Sequence, residues 1–247
     1  MSGGFWPKLA ASWHTLLDFF LPRPCLGCPK ILPAGDPGWL CSTCQADLPL
    51  LPRPRCPRCG APFRSPMVGE HLCQACLRQP PPFTRAHAVA FYEGLILEAI
   101  HRLKYQRQLL YAKFLGDLMQ QDPDIQEIIA GAELLLPVPL HPTRLRWRGF
   151  NQALLLARHL APARLDTQVL IRQRSTRPQV GLTSQERRAN VKGAFAVTDP
   201  ARVAGKNLVL IDDVFTTGAT IGECARVLRQ AKAARLEVIT VARVGYA

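Results

Sequence analysis

Apolar runs and amphipathic stretches alternate along most of this chain. Residues 208–211 (Leu-Val-Leu-Ile) are continuously apolar, the pattern of a buried strand. Residues 86–92, 133–139, 194–197 and 236–243 read as further strands. Residues 152–161 and 221–232 have the apolar spacing and Ala/Leu/Arg content of helices. Ile96, Ile100, Leu103, Leu110, Phe114 and Leu118 continue helical spacing over 93–121, divided by a basic break at 104–107. Strands alternating with helices predict an α/β fold. Phe5, Leu9, Trp13, Leu16, Leu17 and Phe20 predict an N-terminal helix within 1–22. Its polar face lacks the Lys/Arg density of a membrane-surface helix, so it is expected to pack on the protein.

Two stretches break this pattern. Residues 171–193 are polar and too long for an ordinary connection, which favours a binding loop or lid. Within it, Thr183 to Glu186 can open a short helix by a capping box. The other is rich in proline and cysteine. Cys25-x-x-Cys28 is followed after twelve residues by Cys41-x-x-Cys44, and Cys56-x-x-Cys59 after thirteen by Cys73-x-x-Cys76. Each half matches a zinc ribbon, in which two knuckles close a tetrahedral four-thiolate site. One or two structural Zn²⁺ ions are expected. Two consecutive sites is the favoured arrangement, with crossed pairing between the halves as the alternative. Disulfides fit less well, because eight of the nine cysteines fall in these pairs and no signal peptide is evident. Residues 77–84 make a stiff proline-rich linker. The expected domains are therefore 1–22 (helix), 23–80 (double zinc ribbon) and 85–247.

The candidate chemistry lies where the 208–211 strand ends. Asp212 and Asp213 are followed by Val214, Phe215, Thr216, Thr217, Gly218, Ala219 and Thr220, and then by the 221–232 helix. A polar turn leading into a helix N-terminus presents unpaired N–H groups and the positive end of the helix dipole, which suits phosphate. The aspartates suit a neighbouring diol or a shared Mg²⁺. A capped turn without ligand is the plainer alternative. A second strand end repeats this logic with cations: the 140–151 loop carries Arg144, Arg146 and Arg148. Arginine forks bind phosphate bidentately. Lys104 could point at the same ligand, and Arg172, Arg174, Arg177, Arg187, Arg188 and Lys192 could clamp a nucleic-acid backbone. The remaining cysteine, Cys224, is expected to be a small buried apolar residue.

Residues 208–220 resemble the phosphoribosyl-pyrophosphate (PRPP) loop of type I phosphoribosyltransferases in order and spacing. The wider order is similar to the ComF/GntX-like competence family. It comprises the paired Cys-x-x-Cys ribbons, Leu-Lys-Tyr at 103–105, Pro-Val-Pro-Leu at 137–140, Arg-Gly-Phe-Asn-Gln at 148–152, Gln179 with Arg187 and Asn190, and the PRPP loop. The resemblance implies a phosphoribosyltransferase-like parallel sheet flanked by helices, joined to a zinc module and working in DNA uptake or use. It implies that Asp212 and Asp213 hold the ribose hydroxyls, with Mg²⁺ accompanying PRPP, that the 140–151 loop holds pyrophosphate, and that the 171–193 loop closes over the site.

Charge sharpens the choice of partner. A net +13 and an isoelectric point near 9.8 favour a polyanion. The expected partners are PRPP or a ribose-5-phosphate-like ligand, single-stranded DNA, and DNA-processing proteins of the uptake machinery. No apolar run approaches the ~20 residues of a membrane span. A cytoplasmic protein is expected, with the inner face of the membrane as a candidate place of action. The first functional expectation is a DNA-uptake accessory protein that binds PRPP and single-stranded DNA. The alternative is an active phosphoribosyltransferase of unknown acceptor, and a scaffold with a vestigial site is a third reading.

Overall fold

The computed structural model describes residues 23–65, 69–179 and 181–246. The expected helix within 1–22 lies outside the described residues. The chain divides into two compact units, Met1–Leu48 and Pro49–Ala247. Among the described residues of the first, a knuckle bridged at Pro24 and Ile31 leads to the short helix α1 (Ser42–Ala46). Leu32, Leu40 and Cys25 are buried there.

The second unit opens with another knuckle and helix α2 (Gln74–Arg78). It continues through β1 (Arg85–Phe91), α3 (Gly94–Gln106), α4 (Leu110–Gln120), α5 (Pro123–Ala130) and β2 (Leu134–Pro137). Next come α6 (Pro142–Arg148), α7 (Gln152–Leu160), β3 (Leu170–Arg172), α8 (Ser184–Val191) and β4 (Phe195–Val197). It closes with β5 (Asn207–Phe215), α9 (Ala219–Gln230) and β6 (Arg235–Arg243). Strands β1, β6, β5 and β2 form one parallel sheet in that order, while β3 and β4 pair antiparallel apart from it.

Burial explains the sheet. Residues Leu208 to Ile211 of β5 are all buried, as a central parallel strand covered on both faces requires. Successive side chains alternate between those faces. Leu208 and Leu210 join Leu236 and Val238 of β6 in a core with Ile221, Cys224 and Leu228 of α9. On α3, Ile96, Ile100 and Leu103 are fully buried at helical spacing. Each such side chain contributes about 1.5–3 kcal/mol.

Four local features differ from the sequence expectation. Strand β5 does not stop before the aspartates: Asp212 pairs in register with Thr240, and Val214 with Ala242. The neighbouring strand offers hydrogen bonds to these residues despite their polarity. The 140–151 segment is not an open loop but contains α6. Pro142 sits in its first turn, His141 caps it by accepting from the Thr143 N–H, and Gly149 (φ 86°) ends it in the left-handed region. Helix α5 and strand β3 are not among the elements the pattern predicts; Asp122 caps α5 and Pro123 opens it, and β3 pairs with β4.

Candidate functional site

The turn between β5 and α9 is built around Gly218. Its φ is +71°, and a Cβ there would lie 2.9 Å from Phe215 Cζ, so both backbone and space select glycine. Gly218 also occupies the N-cap, without a side-chain cap. The first N–H groups of α9 are therefore left facing the cleft, at the positive end of a twelve-residue helix. The turn residues Thr216, Gly218, Ala219 and Thr220 line a cleft of about 170 Å³ together with Asp212, Asp213, Lys104, Arg144 and Arg172.

Strand alternation gives the two aspartates different surroundings. Asp213 turns toward α3 and α7. There Lys104 forms an ion pair with its Oδ2, and Gln152 Nε2 donates to its Oδ1 at 3.2 Å. Gln152 Oε1 accepts from Arg148 Nη1 at 2.8 Å, so a buried chain links Arg148, Gln152 and Asp213. Burial pushes the Asp213 carboxyl up, but the Lys104 ammonium and the hydrogen bonds to Asp212 and Gln152 together leave the group below the usual carboxylate range. Burial likewise opposes the Lys104 charge, and Asp213 restores it, leaving the ammonium above its ordinary value. Asp212 has no such partner. Burial, then the adjacent Asp213 charge, push its carboxyl well above the ordinary value. Its Oδ1 accepts the Asp213 N–H at 2.9 Å.

The expected cations do not all converge. Arg144 and Arg172 reach the cleft. Arg172 is buried, donates to Thr176 and lies 5.2 Å over the Phe195 ring. Arg148 and Arg187 line an adjoining cleft of about 790 Å³, which also contains Tyr92, Tyr105, His101, His141 and Trp147. Arg174 instead donates to the carbonyls of Asn190 and Lys192, holding the long segment to the end of α8. Arg188 faces a separate groove beside the second cysteine cluster. Arg146 lines neither cleft. Lys104 is committed to Asp213.

Two side chains matter that the sequence left without a role. Gln152 orients Asp213, and Gln179 donates to Thr220 Oγ1 at 2.8 Å, tying the long segment to the turn. Both lie in motif stretches, yet nothing in one dimension shows their partners. The capping box at Thr183 and Glu186 forms as expected, with Thr183 N donating to Glu186 Oε2 at 2.8 Å.

The cysteines form two groups, Cys25/Cys28/Cys41/Cys44 and Cys56/Cys59/Cys73/Cys76, so pairing is consecutive rather than crossed. Cys28 and Cys41 sulfurs stand 3.7 Å apart, as do those of Cys59 and Cys73. Two thiolates on one tetrahedral Zn²⁺, each at ~2.3 Å, would be separated by about that distance. The donor set thus fits structural Zn²⁺ at both. A further group, His87, Asp122 and Asp124, is drawn into protein bonds: His87 Nε2 meets Asp122 Oδ2 at 3.0 Å. Cys224 is fully buried, as expected. Among the described residues no helix is long and apolar enough to cross a membrane.

Comparison with known proteins agrees with this architecture. Residues 16–84 match the double zinc ribbon domain and 148–246 the phosphoribosyl transferase domain. The chain is 34% identical over 230 residues to DNA utilization protein YhgH of Escherichia coli, covering 90% of this chain and 98% of that one. It is 30% identical over 236 residues to Competence protein F of Haemophilus influenzae, covering 92% and 100%. Competence protein ComFC of Bacillus subtilis is 28% identical over 222 residues, covering 83% and 84%. With its zinc-ribbon cysteines and phosphoribosyltransferase domain, the chain belongs to the ComF/GntX-like competence and DNA-utilisation protein family.

Proposed function

We propose that this protein binds PRPP or a related ribose phosphate at the β5–α9 turn and single-stranded DNA on its arginine-lined face, as an accessory factor in DNA uptake or use. The observation that carries the first part is the uncapped N-terminus of α9 beside Asp212 and Asp213. The 5′-phosphate would accept hydrogen bonds from the first N–H groups of α9 and the Thr216 and Thr220 hydroxyls. Asp212 would accept from a ribose hydroxyl. Asp213, held by Lys104 and Gln152, keeps the strand end rigid and negative. Mg²⁺ bound with PRPP would neutralise the pyrophosphate, and Asp212 is the carboxylate free to meet it. Arg144 and Arg172 stand where the pyrophosphate would extend.

Support for DNA comes from the net charge of +13 and from Arg187, which lines the same cleft as the exposed rings of Trp147 and Tyr105. Aromatic faces and arginines are the elements of single-strand binding. DNA affinity should fall steeply with salt, with a log–log slope of about −0.7 for each phosphate neutralised. A salt-independent affinity, or none, would count against this part.

One observation favours an active transferase. The 790 Å³ cleft shares Lys104, Arg144, Arg172 and Gln179 with the ribose-phosphate site, leaving room for an acceptor. The acceptor's lone pair would form a bond to ribose C1, the C1–pyrophosphate bond would break, and the acceptor's proton would pass to solvent. Pyrophosphate release should then require Mg²⁺ and disappear in folded Asp212→Asn. No release with nucleobase, amine or nucleic-acid acceptors would contradict the transferase reading.

A further inference from the structure

The second cysteine cluster and the ribose-phosphate turn share a neighbour, Arg243, the last residue of β6. It is 6% exposed. Its Nη1 donates to the carbonyl oxygen of Cys59 at 2.7 Å. Its guanidinium lies over the Phe215 ring, 5.4 Å from the centroid. Phe215 is the last residue of β5, and its carbonyl accepts from Val244 N at 3.0 Å. The same ring lies against the Gly218 backbone, so close that a Cβ would stand 2.9 Å from Cζ. A continuous set of contacts therefore runs from a cysteine of the cluster, through a buried cation, to the glycine that opens α9.

Two unpartnered atoms show where this set is held. Arg243 Nε and Thr217 Oγ1 are buried without a hydrogen-bond partner, and both residues border a groove of about 970 Å³ between the cluster and the turn. With Nε unsatisfied, the Cys59 carbonyl and the Phe215 ring hold much of the guanidinium's position. The carbonyl belongs to a cysteine whose sulfur lies in the four-thiolate group. Fixing that sulfur on a metal fixes the carbonyl as well. Releasing it removes an acceptor that a buried guanidinium cannot easily replace.

We propose that the Cys56/Cys59/Cys73/Cys76 centre positions the ribose-phosphate turn through Arg243, so that its metal state sets the order of residues 215–220. Arg243 is a positioning residue and need not touch the ligand. The consequence for affinity rests on the ribose-phosphate reading above; the ordering of the turn does not.

Hydrogen exchange on the full chain, without ligand, tests the ordering directly. Amides of 215–220 should exchange about tenfold faster in Arg243→Met and in Cys59→Ser/Cys73→Ser, while those of 236–241 in β6 stay at wild-type rates. Arg243→Lys keeps a cation that can donate to the Cys59 carbonyl, and should recover the turn to within about threefold of wild type. The Kd for PRPP, measured by calorimetry, should rise about tenfold in Arg243→Met, or 1.4 kcal/mol. Unchanged exchange at 215–220 in Arg243→Met, or equal acceleration across β6, would overturn the proposal. Faster turn exchange in a protein whose wild type ignores PRPP would uphold the positioning and reject the ligand reading.

Discussion

Asp212 and Asp213 are adjacent in the chain and unlike in chemistry. Asp213 is a buried anion with a half-buried cation on it, and removing one partner of a buried pair costs about 3–5 kcal/mol. Asp213→Asn should therefore destabilise the fold by about that much, read from urea midpoints at pH 7. Asp212→Asn replaces a carboxyl that burial already drives toward its neutral form, and should change stability by less than about 1 kcal/mol at pH 5. The pH dependence follows the same signs. Asp213, depressed in the fold, stabilises above the ordinary carboxylate value and loses that contribution as pH falls through its lowered value. Asp212, raised in the fold, stabilises below the ordinary value and loses that contribution as pH rises through its raised one. Asp212→Asn should thus gain on wild type as pH rises from 5 toward 9. Equal losses in the two variants would contradict the division of roles. The sequence displayed the two carboxylates as a pair. Their separation depends on Lys104 and Gln152, which lie 109 and 61 positions from Asp213 along the chain and reach it only through folding.

Helix α9 and the turn before it carry the claim at the next scale. Gly218→Ala forces a Cβ onto Phe215 at a left-handed φ, costing about 1–2 kcal/mol for the backbone alone. Affinity for ribose 5-phosphate should drop at least tenfold, while the parallel sheet remains intact by far-ultraviolet circular dichroism. Wild-type affinity in Gly218→Ala would mean that the turn does not hold the phosphate. The strands and helices of this region were legible because their periods are clear: residues 208–211 are all apolar, and 221–232 repeat on a helical face. Helix α6 was obscured by its three arginines, although Pro142 and Gly149 mark its ends. Continuation of β5 through Asp212 and Asp213 was hidden because pairing with β6, not side-chain polarity, decides it.

Across the whole molecule, the zinc modules show how composition and compactness can divide a chain differently. Proline content marks a boundary at 77–84, whereas the compact units divide at Leu48. The second knuckle belongs to the larger unit because Arg58 O accepts from Ala86 N at 2.8 Å and Gly60 lies against the Ala86 carbonyl. Cysteine spacing identifies metal ligands well and says nothing of what packs on them. Metal should supply most of the folding energy of these short segments. Exhaustive chelation should release two Zn²⁺ per chain and abolish exchange protection over residues 25–47, 56–65 and 69–77. Release of one or none, with protection intact, would contradict two structural centres.

The central claim is a ribose-phosphate site built from the β5–α9 turn and the two aspartates. Titration calorimetry of PRPP with Mg²⁺ into wild type and Asp212→Asn, both checked for folding, tests it most directly. Saturable one-to-one binding by wild type, weakened at least tenfold in Asp212→Asn, is the predicted result. No heat of binding to the folded wild type, or equal affinity in both proteins, would contradict it.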